Sequence, residues 1–364
     1  MLKYLAVGNL SKGSVMVKST DMRIFFPIPE VEFLNVGPGS DALGKQRRPA
    51  RAIIQDALRG TYDLVVAGHN AFPYPNPRKT WVKNLSNLCW KTLCHPNLWQ
   101  GGRFPYAKLG PRLAAVDLDD RPIIDNRWFH VLEHCVCFFK RELPQNPCNA
   151  FLYTTAKTEC NGNVLSFEKY RRWIQKLRPI SLGIAPDICR QFAHAEFPKK
   201  TDIFFAGQTK NRPNRIAGLK QLERLKQAGL KVDIAPEKLS QEEFLVRSAE
   251  AYIVWSPEGY GWDCFRHYEI ALMGSVPLMQ SPTIQRYAPL VDGEHAIYYW
   301  IEGDDLMARV RQALQDRSRL VAMGRAARQH VLQWHTHAAL GQYVIEETRR
   351  TLAEIGRTDS LRQN

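Results

Sequence analysis

The sequence predicts two α/β domains, each a parallel sheet with crossover helices, and three observations carry the prediction. The chain has 364 residues, more than one hydrophobic core commonly organises. Short β-rich runs alternate with helical patterns in its first half, and the same rhythm restarts after a proline-punctuated stretch near residues 177–200. Strands linked by helices to parallel neighbours give that alternation.

In the first half, Tyr4–Val7 reads as a strand, Arg51–Leu58 as a helix, Leu64–Ala67 as a buried strand and Leu113–Val116 as another. Phe72–Gly110, rich in Pro, Asn, Gly and Trp, is too long for a plain connection and is expected to be a functional or capping excursion. Arg178–Ile180 through Phe197–Lys200 reads as a strand, a loop and an exposed connection, and the domain boundary is placed there. Beyond it come strands at Asp202–Ala206, Lys231–Ile234 and Ala251–Trp255, with helices at Arg215–Ala228 and Gln241–Ala249. From Leu306 to about Ile355 apolar residues recur every three or four positions, so this stretch is helical almost throughout. The expected division is 1–190, 191–340, and a C-terminal helix and tail over 341–364.

An apolar content of 45% is ordinary for a globular protein. No apolar run approaches the roughly 18 residues that span a bilayer, and Met1–Gly8 reads as a strand rather than a signal peptide; a soluble, cytoplasmic protein is expected. The eight cysteines, at 89, 94, 135, 137, 148, 160, 189 and 264, contain no C-x-x-C pair and read as reduced thiols. The net charge of +14 raises the local concentration of anions such as nucleotides, anionic lipids or nucleic acid. It names a sign and not a partner.

The chemistry concentrates in Ser256–Leu278, where a glycine-rich turn leads from a strand into a helix. Gly259 and Gly261, flanking Tyr260, remove side chains where a ligand approaches the backbone. The helix that follows offers unpaired N–H groups and a positive dipole end to a phosphate. Arg266 and Glu269 lie three residues apart on one face of that helix. The first is a forked cation suited to phosphate, the second a carboxylate able to accept two ribose hydroxyls. Alone, the pair would read as an i,i+3 salt bridge on a solvated face. About fifty residues earlier, Asp202–Arg215 combines a strand, a turn freed by Gly207, and the cations Lys210, Arg212 and Arg215, which suit the charge that grows on a departing diphosphate.

These segments resemble the donor-binding region of GT-B glycosyltransferases, close to exostosin-like and group-1 (CgeB-like) members. Their S-P-x-G, S-x-R-x-x-E-A and G-x-x-P-V pieces correspond here to Ser256–Gly259, Cys264–Ile270 and Gly274–Pro277, with Cys264 in place of the usual Ser and Ile270 in place of Ala. Asp202–Arg215 resembles the opening of that family's C-terminal domain, and Leu320–Leu332 with Trp334–Thr336 resembles its helical ending. The resemblance covers roughly residues 200–340. It implies two Rossmann-like domains facing a central cleft, a last helix crossing back to the N-terminal domain, and transfer of a sugar from a nucleoside-diphosphate sugar to a glycan or lipid-linked hydroxyl. It leans towards retention of configuration. Glu258, eleven residues before Glu269 where group-1 relatives place a sugar-contacting acid eight before, is a candidate catalytic contact.

The N-terminal domain would then supply the acceptor site from loops at the carboxyl ends of its strands, with acceptor specificity in the Phe72–Gly110 excursion. His69 follows the strand at Leu64–Gly68 and is a candidate contact for donor sugar or phosphate, or an ordinary hydrogen-bonded histidine. Asp117, Asp119 and Asp120 end the strand before them and could act as a base or hold acceptor hydroxyls; with Pro122 near, capping the next element is an equal reading. Gly8–Ser14 suits close approach to the donor. His130-Val131-Leu132-Glu133-His134 matches the H-x-x-E-H string of some zinc peptidases, without a recognisable third ligand. No cofactor beyond the donor and no divalent metal is expected, since helix termini and Arg or Lys neutralise the leaving diphosphate; Asp117-Leu118-Asp119 is D-x-D in form but stands in the wrong half. The basic charge suits an anionic membrane or acceptor. It leaves open a DNA-modifying transferase, although no nucleic-acid motif supports one, and a GT-B protein that binds the sugar nucleotide without turnover is the third reading.

Overall fold

The computed structural model describes residues 3–8, 31–35, 49–68, 106–125, 128–152, 168–209, 212–236, 238–300 and 302–363. The chain divides into two compact units, one built from residues 1–180 and 337–364, the other from 181–336.

Continuous apolar runs make the strands of the first unit. Leu64–Gly68 and Leu113–Asp117 are buried along their whole length, as expected of strands covered on both faces. In chain order the elements are β1 (Tyr4–Gly8), β2 (Val31–Asn35), α1 (Ala50–Arg59), β3 (Leu64–Gly68), β4 (Leu113–Asp117), α2 (Phe129–His134), β5 (Cys137–Lys140), α3 (Glu168–Lys176) and β6 (Leu177–Pro179). They form a six-stranded parallel sheet in the order β2-β1-β3-β4-β5-β6. Its core includes Leu5, Val7, Val65, Ala67, Leu113, Ala115 and Phe138 with the aromatic side chains of Phe151, Tyr170 and Trp173; each large side chain so covered contributes about 1.5–3 kcal/mol.

The second unit holds α4 (Pro186–Phe192), β7 (Thr201–Phe205), α5 (Pro213–Gln227), β8 (Val232–Ile234), α6 (Gln241–Ala249), β9 (Ala251–Trp255), α7 (Phe265–Leu272), β10 (Val276–Gln280), β11 (Ile297–Tyr299), α8 (Asp305–Ala313) and α9 (Arg317–Trp334). Its five parallel strands run β11-β10-β9-β7-β8. Side chains alternate between the faces of β7. Ile203 and Phe205 join the core beneath α5, α8 and α9, and Phe204 packs on the opposite face with Val254 and Ile270. Helix α5 starts with Pro213, where a missing N–H costs nothing, and α6 is capped by Ser240, whose Oγ accepts from Glu243 N at 3.2 Å. Gly218 lets α5 approach Trp255 closely. A Cβ there would stand 2.2 Å from the indole ring.

After α9 the chain returns to the first unit as α10 (His337–Gln363). Tyr343 sets its ring edge-on to Phe139 at 5.3 Å and donates its hydroxyl to Pro179 O at 3.2 Å. Arg178 Nε donates to Glu347 Oε1 at 2.6 Å. Hence the sheet of the first unit is finished by residues more than 150 positions further along the sequence. β7, β8, β9, α5 and α6 match the strands and helices read from the sequence to within one or two residues, the helical stretch read as ending near Ile355 continues as α10 to Gln363, and α4 occupies part of the stretch read as a loop.

Candidate functional site

Strand order locates the site. In the second unit the chain moves from β7 to β8 on one side, then crosses to β9 on the other. The carboxyl ends of β7 and β9 therefore flank the point where strand order reverses, the usual ligand crevice of an open parallel sheet. The two segments singled out in the sequence leave the sheet there, Ala206–Arg212 after β7 and Ser256–Cys264 after β9.

Gly207 is the seat of Arg266. A Cβ on Gly207 would lie 2.7 Å from Arg266 Nη1, so the absent side chain is what allows the guanidinium to reach the end of β7. Arg266 also lies over the Phe244 ring at 5.5 Å, and its Nη1 is buried without a hydrogen-bond partner among the described residues. Arg215, 9% exposed, donates through Nη1 to Gln208 O at 2.8 Å and through Nη2 and Nε to Glu258 O at 2.7 and 3.2 Å. It ties the two loops together. Burial first, and then the nearby Arg266 charge, pull its guanidinium below the ordinary arginine range. Arg212 donates to Gly259 O at 3.0 Å and stacks on Tyr260 at 4.1 Å, and Tyr260 itself is 81% exposed. Gly259 N donates to Gly261 O at 2.9 Å, closing the glycine-rich turn.

The two carboxylates are held by neutral amides. Glu258 Oε1 accepts from Asn214 Nδ2 at 2.8 Å, while its backbone N–H donates to Gln280 Oε1 at 3.3 Å. Glu269 is buried on α7 and accepts from Gln241 Nε2 at 3.1 Å. Burial raises its carboxyl above the usual range, only partly offset by Gln241 and by Arg266. Among the described residues no ion pair joins Arg266 to Glu269, or gives Arg212 or Arg215 a carboxylate partner. Three guanidinium groups and two carboxylates thus stand on or beside the segments that follow β7 and β9 with their charges not cancelled by direct contact among the described residues. Asn214, Gln241 and Gln280 were not singled out in the sequence. Nothing in the sequence marks them, and only the fold brings Asn214 and Gln241 to the carboxylates and Gln280 to the Glu258 backbone.

At the ends of β4 and β5 in the first unit the aspartates are paired with cations. Asp117 and Lys140, adjacent across β4 and β5 and almost wholly buried, form an ion pair at 3.2 Å. Asp117 Oδ1 also accepts from Asp119 N at 3.0 Å. Asp120 pairs with Arg141, whose Nη1 also donates to Leu118 O. Asp119 receives Nε and Nη2 of Arg121 at 2.9 and 2.8 Å. Burial works to raise the Asp119 carboxyl, but the Arg121 bonds and the Lys140 charge outweigh it and hold it below the usual range. On α2, Glu133 accepts from Trp173 Nε1 at 3.0 Å, and no group of three metal-ligating side chains occurs among the described residues. His69, Lys210, the Gly8–Ser14 loop beyond Gly8 and most of Phe72–Gly110 lie outside the described residues. Among the described residues no helix is long and apolar enough to cross a membrane.

No protein-family model and no curated protein sequence matches the chain. Solved structures match its fold. A glycosyltransferase from Rickettsia africae aligns with a TM-score of 0.50 at 10% identity, over 96% of this chain and 98% of that one. HepE from Anabaena in complex with UDP-glucose aligns at 0.46 and 12% identity, over 96% and 100%. A sucrose-phosphate synthase from Thermosynechococcus elongatus aligns at 0.46 and 11% identity, over 97% and 100%. At such identities the likeness concerns fold, and together with the two parallel sheets and the returning last helix it gives this chain the GT-B class of architecture.

Proposed function

We propose that the chain is a glycosyltransferase that moves a sugar from a nucleoside-diphosphate sugar to a hydroxyl of a glycan or lipid-linked acceptor, with the donor held at the β7/β9 crossover. One observation carries this reading: three guanidinium groups stand at a strand-order reversal without carboxylate partners among the described residues, beside a buried glutamate held by an amide. Arg266, with its unpartnered Nη1, faces the diphosphate; Arg212 and Lys210 add charge, and Arg215 locks the loops around it. Glu269 accepts ribose hydroxyls, Gly207, Gly259 and Gly261 let the donor approach the backbone, and Tyr260 offers an exposed ring.

Charge on the leaving diphosphate is met by these cations, so the reaction runs without a divalent metal. Glu258 and His69 are the candidate contacts for the transferred sugar. Asp117, bound to Lys140, supports the acceptor side as part of a rigid loop, and retention of configuration and kinship with exostosin-like enzymes follow from the motif resemblance. The basic surface favours an anionic acceptor or the cytoplasmic face of an anionic membrane.

Calorimetric titration with UDP, GDP, CMP and ADP, with and without EDTA, tests the donor site. One nucleotide should bind regardless of EDTA, and Arg266→Ala should weaken it by about 10- to 100-fold, the loss of one or two charged hydrogen bonds, at an unchanged melting temperature. Silence across the panel, or an unaffected Arg266→Ala variant, would overturn the reading. Release of nucleotide from the matching sugar donor then tests turnover.

A further inference from the structure

The chain passes between its two units twice, at Ile180/Ser181 and at Thr336/His337. Inside the second unit the segments at these two passages are bonded to each other. Ile184 N donates to His335 O at 2.7 Å, and Ile184 and Thr336 form a parallel bridge. Ser181 Oγ is hydrogen-bonded to His335 Nδ1 at 2.9 Å. His335 Nε2 donates to Ala288 O at 2.8 Å, so its Nδ1 is the acceptor and Ser181 the donor. Burial keeps this imidazole neutral, with its pKa lowered to about 3.

The same segments are bonded to the candidate donor site. Asp263, 2% exposed, stands at the end of the glycine-rich loop, three residues before Arg266. One of its carboxylate oxygens accepts from Leu182 N at 2.9 Å in the first passage. The other accepts from the hydroxyl of Tyr268, which lies on α7 between Arg266 and Glu269. The Tyr268 ring in turn packs on the His335 ring of the second passage at 4.5 Å. Ser181, Leu182, Ile184, Asp263, Tyr268 and His335 are all 5% exposed or less. A buried carboxylate with two donors and an aromatic stack cannot shift one member alone without leaving a polar group unpaired.

We infer that Asp263 is a positioning residue that couples the donor loop and α7 to both passages between the units, so that binding at the donor site is transmitted to the segments joining them. The coupling stands on the geometry above; that its input is a sugar nucleotide rests on the proposed function.

Hydrogen exchange resolved by peptide, on the full chain, tests it with two variants. Asp263→Leu removes both acceptors at similar size, leaving Leu182 N and the Tyr268 hydroxyl unpaired, and Tyr268→Phe removes only the hydroxyl. In the absence of ligand, both should lower protection by about tenfold or more in 256–264 and together with it in 181–184 and 335–336, while β7, β9 and β10 keep theirs. Loss confined to 256–264, or an equal loss across the sheet, would overturn the coupling. Added UDP should raise protection in the loop and both passages of the unaltered protein, but only in the loop of Tyr268→Phe. If UDP or the other nucleotides protect nothing in the unaltered protein, the donor reading falls while the ligand-free comparison still decides the coupling.

Discussion

Among the described residues, the carboxyl ends of β4 and β5 and those of β7 and β9 use charge in opposite ways. In the first unit Asp117, Asp119 and Asp120 each meet a cation, Lys140, Arg121 and Arg141. In the second, Arg212 and Arg215 meet backbone carbonyls, Arg266 meets an aromatic ring, and Glu258 and Glu269 meet amides. Opposite charges bonded to one another are largely used up in holding a loop. Charges bonded to neutral dipoles keep their field for something else. Side-chain identity does not separate the two cases, since both regions are rich in Arg, Asp and Glu; the partners do.

The sharpest way to break this contrast is at Asp117. Asp117→Asn should cost about 3–5 kcal/mol, because it strands Lys140 as an unpaired buried charge, whereas the double variant Asp117→Leu with Lys140→Met should recover most of that. Urea denaturation reads both. Unchanged stability of Asp117→Asn together with lost turnover would move this carboxylate from scaffold to chemistry. Next in size is Gly207→Ala. Its methyl would stand 2.7 Å from Arg266 Nη1, and that flexible group must yield. Nucleotide affinity should drop by roughly tenfold, about 1.4 kcal/mol, with little change in melting temperature; unaltered affinity would show that the seat of Arg266 is immaterial. The smallest effect concerns Glu269. Its raised carboxyl takes up a proton at a pH where a free glutamate is still ionised, and only the ionised form accepts two hydroxyls. On going from neutral to mildly acidic pH, nucleotide affinity should therefore fall a few-fold more in the unaltered protein than in Glu269→Gln, which is weaker throughout and keeps only the fall caused by protonation of the nucleotide's own phosphate. Parallel profiles would remove Glu269 from the grip.

Much of the second unit was legible in the sequence because its strands are apolar runs with clear glycine or proline punctuation, as at Ala251–Trp255 before Ser256-Pro257. The first unit was harder. β2 is only partly covered and carries Glu32, and α2 spans six residues, too few to show a helical period. At the site, residue types and loop positions were legible, and the partners were not. Gln241 lies 28 residues from Glu269 and Asn214 lies 44 from Glu258, separations at which one-dimensional pattern holds no information on pairing. For the same reason the sequence shows Arg215 only as a cation near the site, with no sign that its guanidinium also donates to carbonyls of both loops.

The return of α10 to the first sheet makes the second unit an insertion whose two ends lie side by side at Ile184 and Thr336. A ribosome releases every strand of the second unit before it releases Tyr343 and Glu347, which pack on Phe139 and bond Arg178 of the first sheet. All of the second unit is therefore synthesised before the first unit has its α10 contacts, so on the ribosome the later-encoded domain is the first whose contacts are all available.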